Sequence, residues 1–248
     1  MLERTLFLAA RTARSQAYAQ AMAAAGLHPG QVLICGEPET AAPPAPAAAW
    51  AGAGLALPNL AEPLESTCGA AGWSTEAIAS RNVNDAEVVA RIRALQPACV
   101  IYSGFGGQIV GTAALDLGVP FLHSHSGWLP RYRGSTTIYF SMLEARECAA
   151  SVLVLAAEID AGPVLARRRY PLPPGGIDVD RVYDAAIRAD LLCRVLAETQ
   201  RLGALPPALR TEGETAQTYF VVHPVLKHVA LLALPERSDA RAARETGS

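Results

Sequence analysis

CVIYSGFGGQIVGTAALDLGVPFLHSHS, residues 99–126, is the stretch from which the fold is read. Cys99–Tyr102 is a continuous apolar run of the kind that makes a strand buried on both faces. It ends in Ser-Gly-Phe-Gly-Gly, a turn-forming cluster. A short helix is expected around 112–117, and Val119–Leu122 then reads as a second buried strand running into His-Ser-His. Strand, loop, helix and strand in that order form a parallel crossover unit. Side chains alternate along a strand, so His123 and His125 point to the same face. Two of only five histidines therefore converge at a strand end.

The alternation extends in both directions. Upstream, residues 4–9 read as a strand, Ser15 as the cap of a helix over 16–25 that Gly26 ends, and 31–35 as a second strand. A Pro/Ala-rich stretch over 37–58 reads as a surface loop. Residues 75–78 form a short strand, and Asn84 or Asp85 caps a helix over 86–95 whose Val88, Val89 and Ile92 make one stripe. Downstream, Ser135 or Thr136 starts a helix to about 146, and strands follow at 149–155 and 163–170. Asp178 caps the longest helix, 179–202. Residues 218–222 look like a strand, 225–233 are apolar, and 235–248 carry the composition of a disordered tail. The expected fold class is α/β, a doubly wound, mostly parallel, Rossmann-like sheet with a short C-terminal extension. The expected division is a catalytic domain over 1–203, an extension over 204–234 packed on it, and the tail. In such sheets ligands bind beyond the carboxyl ends of the strands. Both 103–107 and 123–134 lie there.

Composition removes several classes of function. The chain has 248 residues, a formal charge of −2 and no basic run, which argues against nonspecific nucleic-acid binding. Its five cysteines (Cys35, Cys68, Cys99, Cys148, Cys193) are scattered, and none forms a C-x-x-C pair. Reduced thiols in a cytoplasm are expected, not a disulfide frame. No apolar stretch has the length of a signal peptide or a membrane span.

After the His-x-His pair comes Gly127-Trp-Leu-Pro130-Arg-Tyr-Arg-Gly134, and further on Ile159-Asp160-Ala-Gly162-Pro-Val. This pattern resembles the formyltransferase family, whose members take a formyl group from N10-formyltetrahydrofolate. The resemblance runs from about residue 85 to 170, with weaker agreement in the first 35 residues. It implies that His125 is the catalytic histidine and Asp160 the catalytic aspartate. The family's asparagine falls at His123, which is a departure. The resemblance also implies a pterin cradle from Ser103, Gly104, Phe105, Gly106, Gly107 and Ile109 on one side. Ala157, Glu158, Ile159 and Gly162 form the other side.

The chemistry explains such a gathering. Formyl transfer passes through a tetrahedral oxyanion that needs a donor. A proton must leave the attacking amine, and one histidine with a carboxylate beside it can carry it. A neutral His123 has one N–H and could stand in for the asparagine amide, provided the right nitrogen holds the proton. Arg131 and Arg133 in the loop, and Arg11 and Arg14 near the end of the first strand, are the candidate contacts to an acceptor. The first-strand loop has no glycine of the sort that cradles a phosphate, and nothing in the chain matches a tRNA-binding domain. The expected acceptor is therefore a small-molecule amine, an amino sugar or a specialised metabolite. No nucleic acid and no membrane are expected as partners. Residues 223–228 read as a surface face or a subunit contact, which leaves room for a homodimer. Other readings are formyltetrahydrofolate hydrolysis, a non-catalytic folate-binding module, and a metal-dependent hydrolase built on His-x-His. The last would use the two imidazoles and an aspartate, but the sequence offers it no convincing third histidine or bridging lysine, and no metal is expected.

Overall fold

The computed structural model describes residues 1–37 and 54–236. In chain order the elements are β1 (Thr5–Ala10), α1 (Ala13–Ala24), β2 (Gln31–Cys35), α2 (Leu64–Ala70), β3 (Thr75–Ile78), α3 (Ala86–Leu95), β4 (Cys99–Ser103), α4 (Thr112–Leu115) and β5 (Phe121–His125). They continue with β6 (Arg133–Gly134), α5 (Thr137–Ala145), β7 (Cys148–Val154), β8 (Val164–Tyr170), α6 (Asp184–Leu202), β9 (Thr218–Tyr219) and α7 (Pro224–Leu232). A seven-stranded sheet runs in the order β3-β2-β1-β4-β5-β7-β8. Its first five strands are parallel, and β7 and β8 are antiparallel additions. The expected doubly wound, mostly parallel sheet is present, and strand order reverses between β1 and β4, where such sheets open a crevice.

The alternation of side chains sorts each strand into two cores. Phe7, Ile34, Ile101 and Leu122 enter the layer with α1 and α6, while Leu6, Leu33, Val100 and Phe121 enter the layer with α3 and α4. Each fully buried aliphatic or aromatic side chain of this kind contributes about 1.5–3 kcal/mol. His123 and His125 follow Phe121 with period two, so they continue its face at the carboxyl end of β5.

Three local expectations are revised. Helix α1 begins earlier, with Thr12 as its cap accepting from the Ser15 amide. The Ser15 hydroxyl instead reaches β4, donating to Ser103 O at 3.1 Å and meeting Ser103 Oγ at 2.8 Å. The long helix opens with a wide π turn over Val179–Tyr183, which Asp178 caps through the Arg181 amide, before α6 proper. The strand expected over 218–222 is two residues, β9, paired parallel with β6, and the apolar stretch after it is α7. His223 caps α7, its Nδ1 accepting from the Val225 amide at 3.2 Å.

The segment after α6 braces the loop that follows β5. Tyr219 stacks on Tyr132 at 5.4 Å between centroids, and its hydroxyl donates to Glu144 at 3.0 Å. Val222 N donates to Thr136 Oγ1 at 2.8 Å. All five cysteines are free. Among the described residues no helix is long and apolar enough to cross a membrane. Most of the loop read over 37–58 and the tail after 236 lie outside the described residues.

Candidate active site

His125 closes β5 and is 3% exposed. Its Nε2 lies 2.7 Å from Tyr132 O and 3.2 Å from Thr137 Oγ1. Thr137 spends its own hydroxyl proton on the Ser126 carbonyl. Both neighbours of Nε2 are therefore acceptors, so Nε2 carries the proton and Nδ1 carries the lone pair. Nδ1 faces Asp160 Oδ2 at 3.4 Å. Gly127 makes this arrangement possible: a Cβ there would sit 2.8 Å from both His125 Nε2 and Tyr132 O.

Asp160 lies in the turn between β7 and β8 with φ of 50°. Aspartate tolerates this left-handed conformation better than most residues. Its Oδ2 accepts from Gly134 N at 2.8 Å, which ties the turn to the loop after β5. Gly162 keeps the turn close to β7, because a Cβ there would come within 1.9 Å of Val154 O.

His123 stands beside them. Its Nδ1 is buried without a hydrogen-bond partner. A contact with the Tyr102 backbone favours the protonated form of the ring. Burial holds this histidine well below its ordinary pKa, reinforced by Arg14, Arg188 and His125. Burial also lowers His125; Asp160 pulls upward without overcoming it, and Arg188 adds to the fall. A carboxylate at this distance ordinarily raises a histidine, and here desolvation decides the sign the other way. One ligand-capable atom from each of His123, His125 and Asp160 lies within 4.8 Å of the others.

Two arginines that the sequence reading gave no role at the histidines form the electrostatic floor. Arg188, on α6, donates from Nη1 to Ser124 O at 3.0 Å and from Nη2 to Ser126 Oγ at 2.8 Å, and pairs with Asp184 at 2.9 Å. Burial works to lower Arg188, but Asp184 and Tyr18 outweigh it and the net shift is upward. Arg14, on α1, donates from Nε to Ser103 Oγ at 3.2 Å and also to the Gly104 carbonyl. Burial lowers its pKa, and Arg188 adds to the fall. No sequence motif marks Arg188; only the packing of α6 beneath β5 brings it here.

A cavity of about 90 Å³ lies in front of the site. His123, Asp160, Ile109, Ala157 and Ile159 line it, all singled out from the sequence; His125 is behind them. Tyr102, Gln108, Val110, Leu155 and Ala156 complete the lining and were not foreseen. Apolar strand-end residues of this kind carry no signal beyond core hydrophobicity. A more open cleft of about 460 Å³ shares Leu155, Ala156 and Ala157 with it. Burial pushes the Tyr102 hydroxyl up to about 12, and it meets Gln108 Oε1 at 3.2 Å.

The remaining candidates are engaged elsewhere. Ser103 holds Ser15 and Arg14, and Gly104 lies under Tyr102, whose Oη would be 2.1 Å from a Cβ there. Phe105 lies under the Arg81 guanidinium at 4.1 Å. Gly106 and Gly107 have open space where a side chain would be and do not line the cavity. Glu158 pairs with Arg133 at 2.9 Å, and Arg131 with Glu144 at 3.9 Å. Arg11 pairs with Glu65 at 2.6 Å, leaving its Nη1 buried without a partner.

Residues 50–191 match the family model described as formyl transferase, and the chain belongs to that family. The methionyl-tRNA formyltransferase of Moorella thermoacetica is 28% identical over 170 residues, 62% of this chain and 53% of that protein. That of Chloroflexus aggregans is 35% identical over 125 residues, 48% of this chain and 39% of that protein. The chain spans about half the length of the curated relatives it matches, or less. Among solved structures, a sugar N-formyltransferase from a Shewanella species aligns over 92% of this chain and 86% of its own, with a TM-score of 0.56 and 15% identity. A phosphoribosylglycinamide formyltransferase from Streptococcus pneumoniae aligns over 81% and 98%, with a TM-score of 0.54 and 16% identity. At these identities the likeness is one of fold.

Proposed function

We infer that the chain transfers a formyl group from N10-formyltetrahydrofolate to the amine of a small molecule. The observation that carries this reading is the His125–Asp160 pair, Nδ1 to Oδ2 at 3.4 Å, with Asp160 on the wall of the cavity. Family membership supports the donor. The pterin occupies the inner cavity between Ile109 and Ile159, and the rest of the folate extends past Ala157 into the open cleft. The attacking amine loses a proton as the tetrahedral intermediate forms. Asp160 or His125 Nδ1 accepts it, and the pair then delivers it to the folate nitrogen as the bond from that nitrogen to the formyl carbon breaks. Arg11, with its unpaired buried N–H, is the contact assigned to an anionic acceptor, and Arg131 and Arg133 contribute from the loop after β5.

His123 takes the place of the asparagine whose amide meets the formyl oxygen. A neutral imidazole has one N–H, and the buried Nδ1, which has no partner, donates to that oxygen in the tautomer that holds the proton there. An asparagine amide always presents an N–H, so His123→Asn is expected to keep turnover within about tenfold of the parent. His123→Ala is expected to lose two to three orders of magnitude, roughly the cost of removing one oxyanion donor. An alanine variant as fast as the parent would remove His123 from the reaction.

The acceptor is tested by competition. The chain is given labelled formyltetrahydrofolate with a panel of amino sugars and other small amines, and in parallel with methionyl-tRNA, the acceptor in the name of its relatives. Label on a small amine is the expected result. Label on the tRNA alone would overturn the small-molecule assignment, and formate release without any amine would reassign the chain as a hydrolase.

A further inference from the structure

We propose that Arg188 is a positioning residue for the transfer: from the α6 side of β5 it grips the residues flanking His125 and keeps a fixed positive charge behind both imidazoles. This role rests on the formyl-transfer reading, and Arg188 itself does not line the cavity.

Side chains alternate along β5, so Ser124 points toward α6 while His123 and His125 share the other face. Ser124 Oγ donates to Arg188 O at 3.1 Å, which ties this turn of α6 to the strand. The guanidinium returns the contact, Nη1 donating to Ser124 O at 3.0 Å and Nη2 to Ser126 Oγ at 2.8 Å. His125 is thus clamped on both flanks, and its ring is left to Tyr132 O and Asp160. A planar fork suits such a double contact, and a lysine ammonium cannot reproduce it.

Asp184 supplies charge and not direction. Its Oδ2 lies 2.9 Å from Arg188 Nε, but neither that Nε nor Asp184 Oδ1 makes an aligned hydrogen bond. An ion pair buried in this way is a poor stabilising device, because desolvation of both charges offsets their attraction. Its position gives the cation another use. Asp160 favours a charged His125 ring, yet a relay through Nδ1 needs that lone pair free when the amine arrives. Arg188 opposes the charge on both histidines.

The other groups facing the imidazoles come from several elements: Asp160 from the β7–β8 turn, Asp184 from α6, Arg14 and Tyr18 from α1, Tyr102 from β4 and Tyr132 from the loop after β5. Burial raises Tyr18 and pushes Tyr102 and Tyr132 up to about 12, so all three stay neutral near pH 7. Arg14 is the second cation, but its donors go to Ser103 and Gly104. Of the two, only Arg188 is bonded to β5.

The test compares the full parent chain with Arg188→Lys and with Arg188→Met combined with Asp184→Asn, so that no lone buried carboxylate remains. NMR of the His123 and His125 rings against pH reads the charge without turnover, and single-turnover formyl transfer against pH reads its consequence. Arg188 outweighs Asp184 at His125, so in the double variant both ring titrations and the acid limb of transfer should move to higher pH. The plateau rate should fall by roughly tenfold to a hundredfold, the scale of a small misplacement of the reacting groups, with folate affinity unchanged. Arg188→Lys should keep the limb at the parent's pH and lose part of the plateau rate. An arginine that only stabilised the fold would lower the melting temperature and leave the limb in place. Unmoved titrations in a folded double variant, or a lysine variant with the parent's plateau rate, would overturn the proposal; the lysine variant decides if the double variant does not fold. Ring titrations that move with Arg188 in a parent that transfers no formyl group would overturn the formyl-transfer reading and uphold the placed charge.

Discussion

Asp160→Asn is expected to lower formyl transfer by at least about a hundredfold, the usual range for lost acid–base assistance, with an unchanged melting temperature. His125→Ala is expected to lower it at least as far. Asparagine accommodates the left-handed backbone at 160 and can still accept from Gly134 N through its amide oxygen. It removes only the charge opposite His125 Nδ1. Alanine at 160 would add backbone strain of about 1–2 kcal/mol, so the asparagine variant is the cleaner probe. His125→Ala also empties a buried position and strips the Tyr132 carbonyl of its donor. Some loss of stability accompanies it, and activity must be read at a temperature where the variant is folded. Parent-like turnover in Asp160→Asn would remove the pair from the mechanism.

The second large effect concerns stability. Gly162→Ala places a methyl group 1.9 Å from Val154 O and 3.3 Å from Ala156 N, both main-chain atoms that cannot rotate away. The β7–β8 connection must open, and Asp160 moves with it. A loss of roughly 3 kcal/mol is expected, at the upper end for overpacking, or a fall in melting temperature of roughly 6–12 °C for a chain of this size. Thermal denaturation reads this directly. A variant that melts with the parent would mean that the turn is not held as described.

The sequence carried the parallel half of the sheet because each of its strands is a short apolar run between helical stripes and turn residues. It could not give the direction of β7 and β8, since apolar runs read the same in either sense. Helix α2 was missed because Leu64–Ala70 is short and has only Leu64, Thr67 and Cys68 buried. The histidine pair was legible from period two alone, and Asp160 only through the family pattern.

What the sequence could not show was the surroundings. Arg14 and Arg188 come from helices far apart in the chain and meet at β4 and β5 only after folding. The Gly104–Gly107 turn looked like an open cradle, yet Gly104 is pinned beneath Tyr102 and by Arg14. Tautomers are likewise decided by tertiary contacts. The lone pair on His125 Nδ1 follows from the two acceptors, Tyr132 O and Thr137 Oγ1, around its Nε2, and no reading of His-Ser-His anticipates it.

The cavity in front of His125 and Asp160 is proposed to hold the formyl donor, and the pair to relay the proton of its transfer. The most direct measurement follows tetrahydrofolate release and the fate of the formyl label in single-turnover mixtures of parent and Asp160→Asn with formyltetrahydrofolate and the amine panel. The parent is expected to release tetrahydrofolate in step with label appearing on an amine. Asp160→Asn should bind the folate with similar affinity and turn it over at least about a hundredfold more slowly. Equal rates in the two proteins, or a parent that binds no folate, would contradict it.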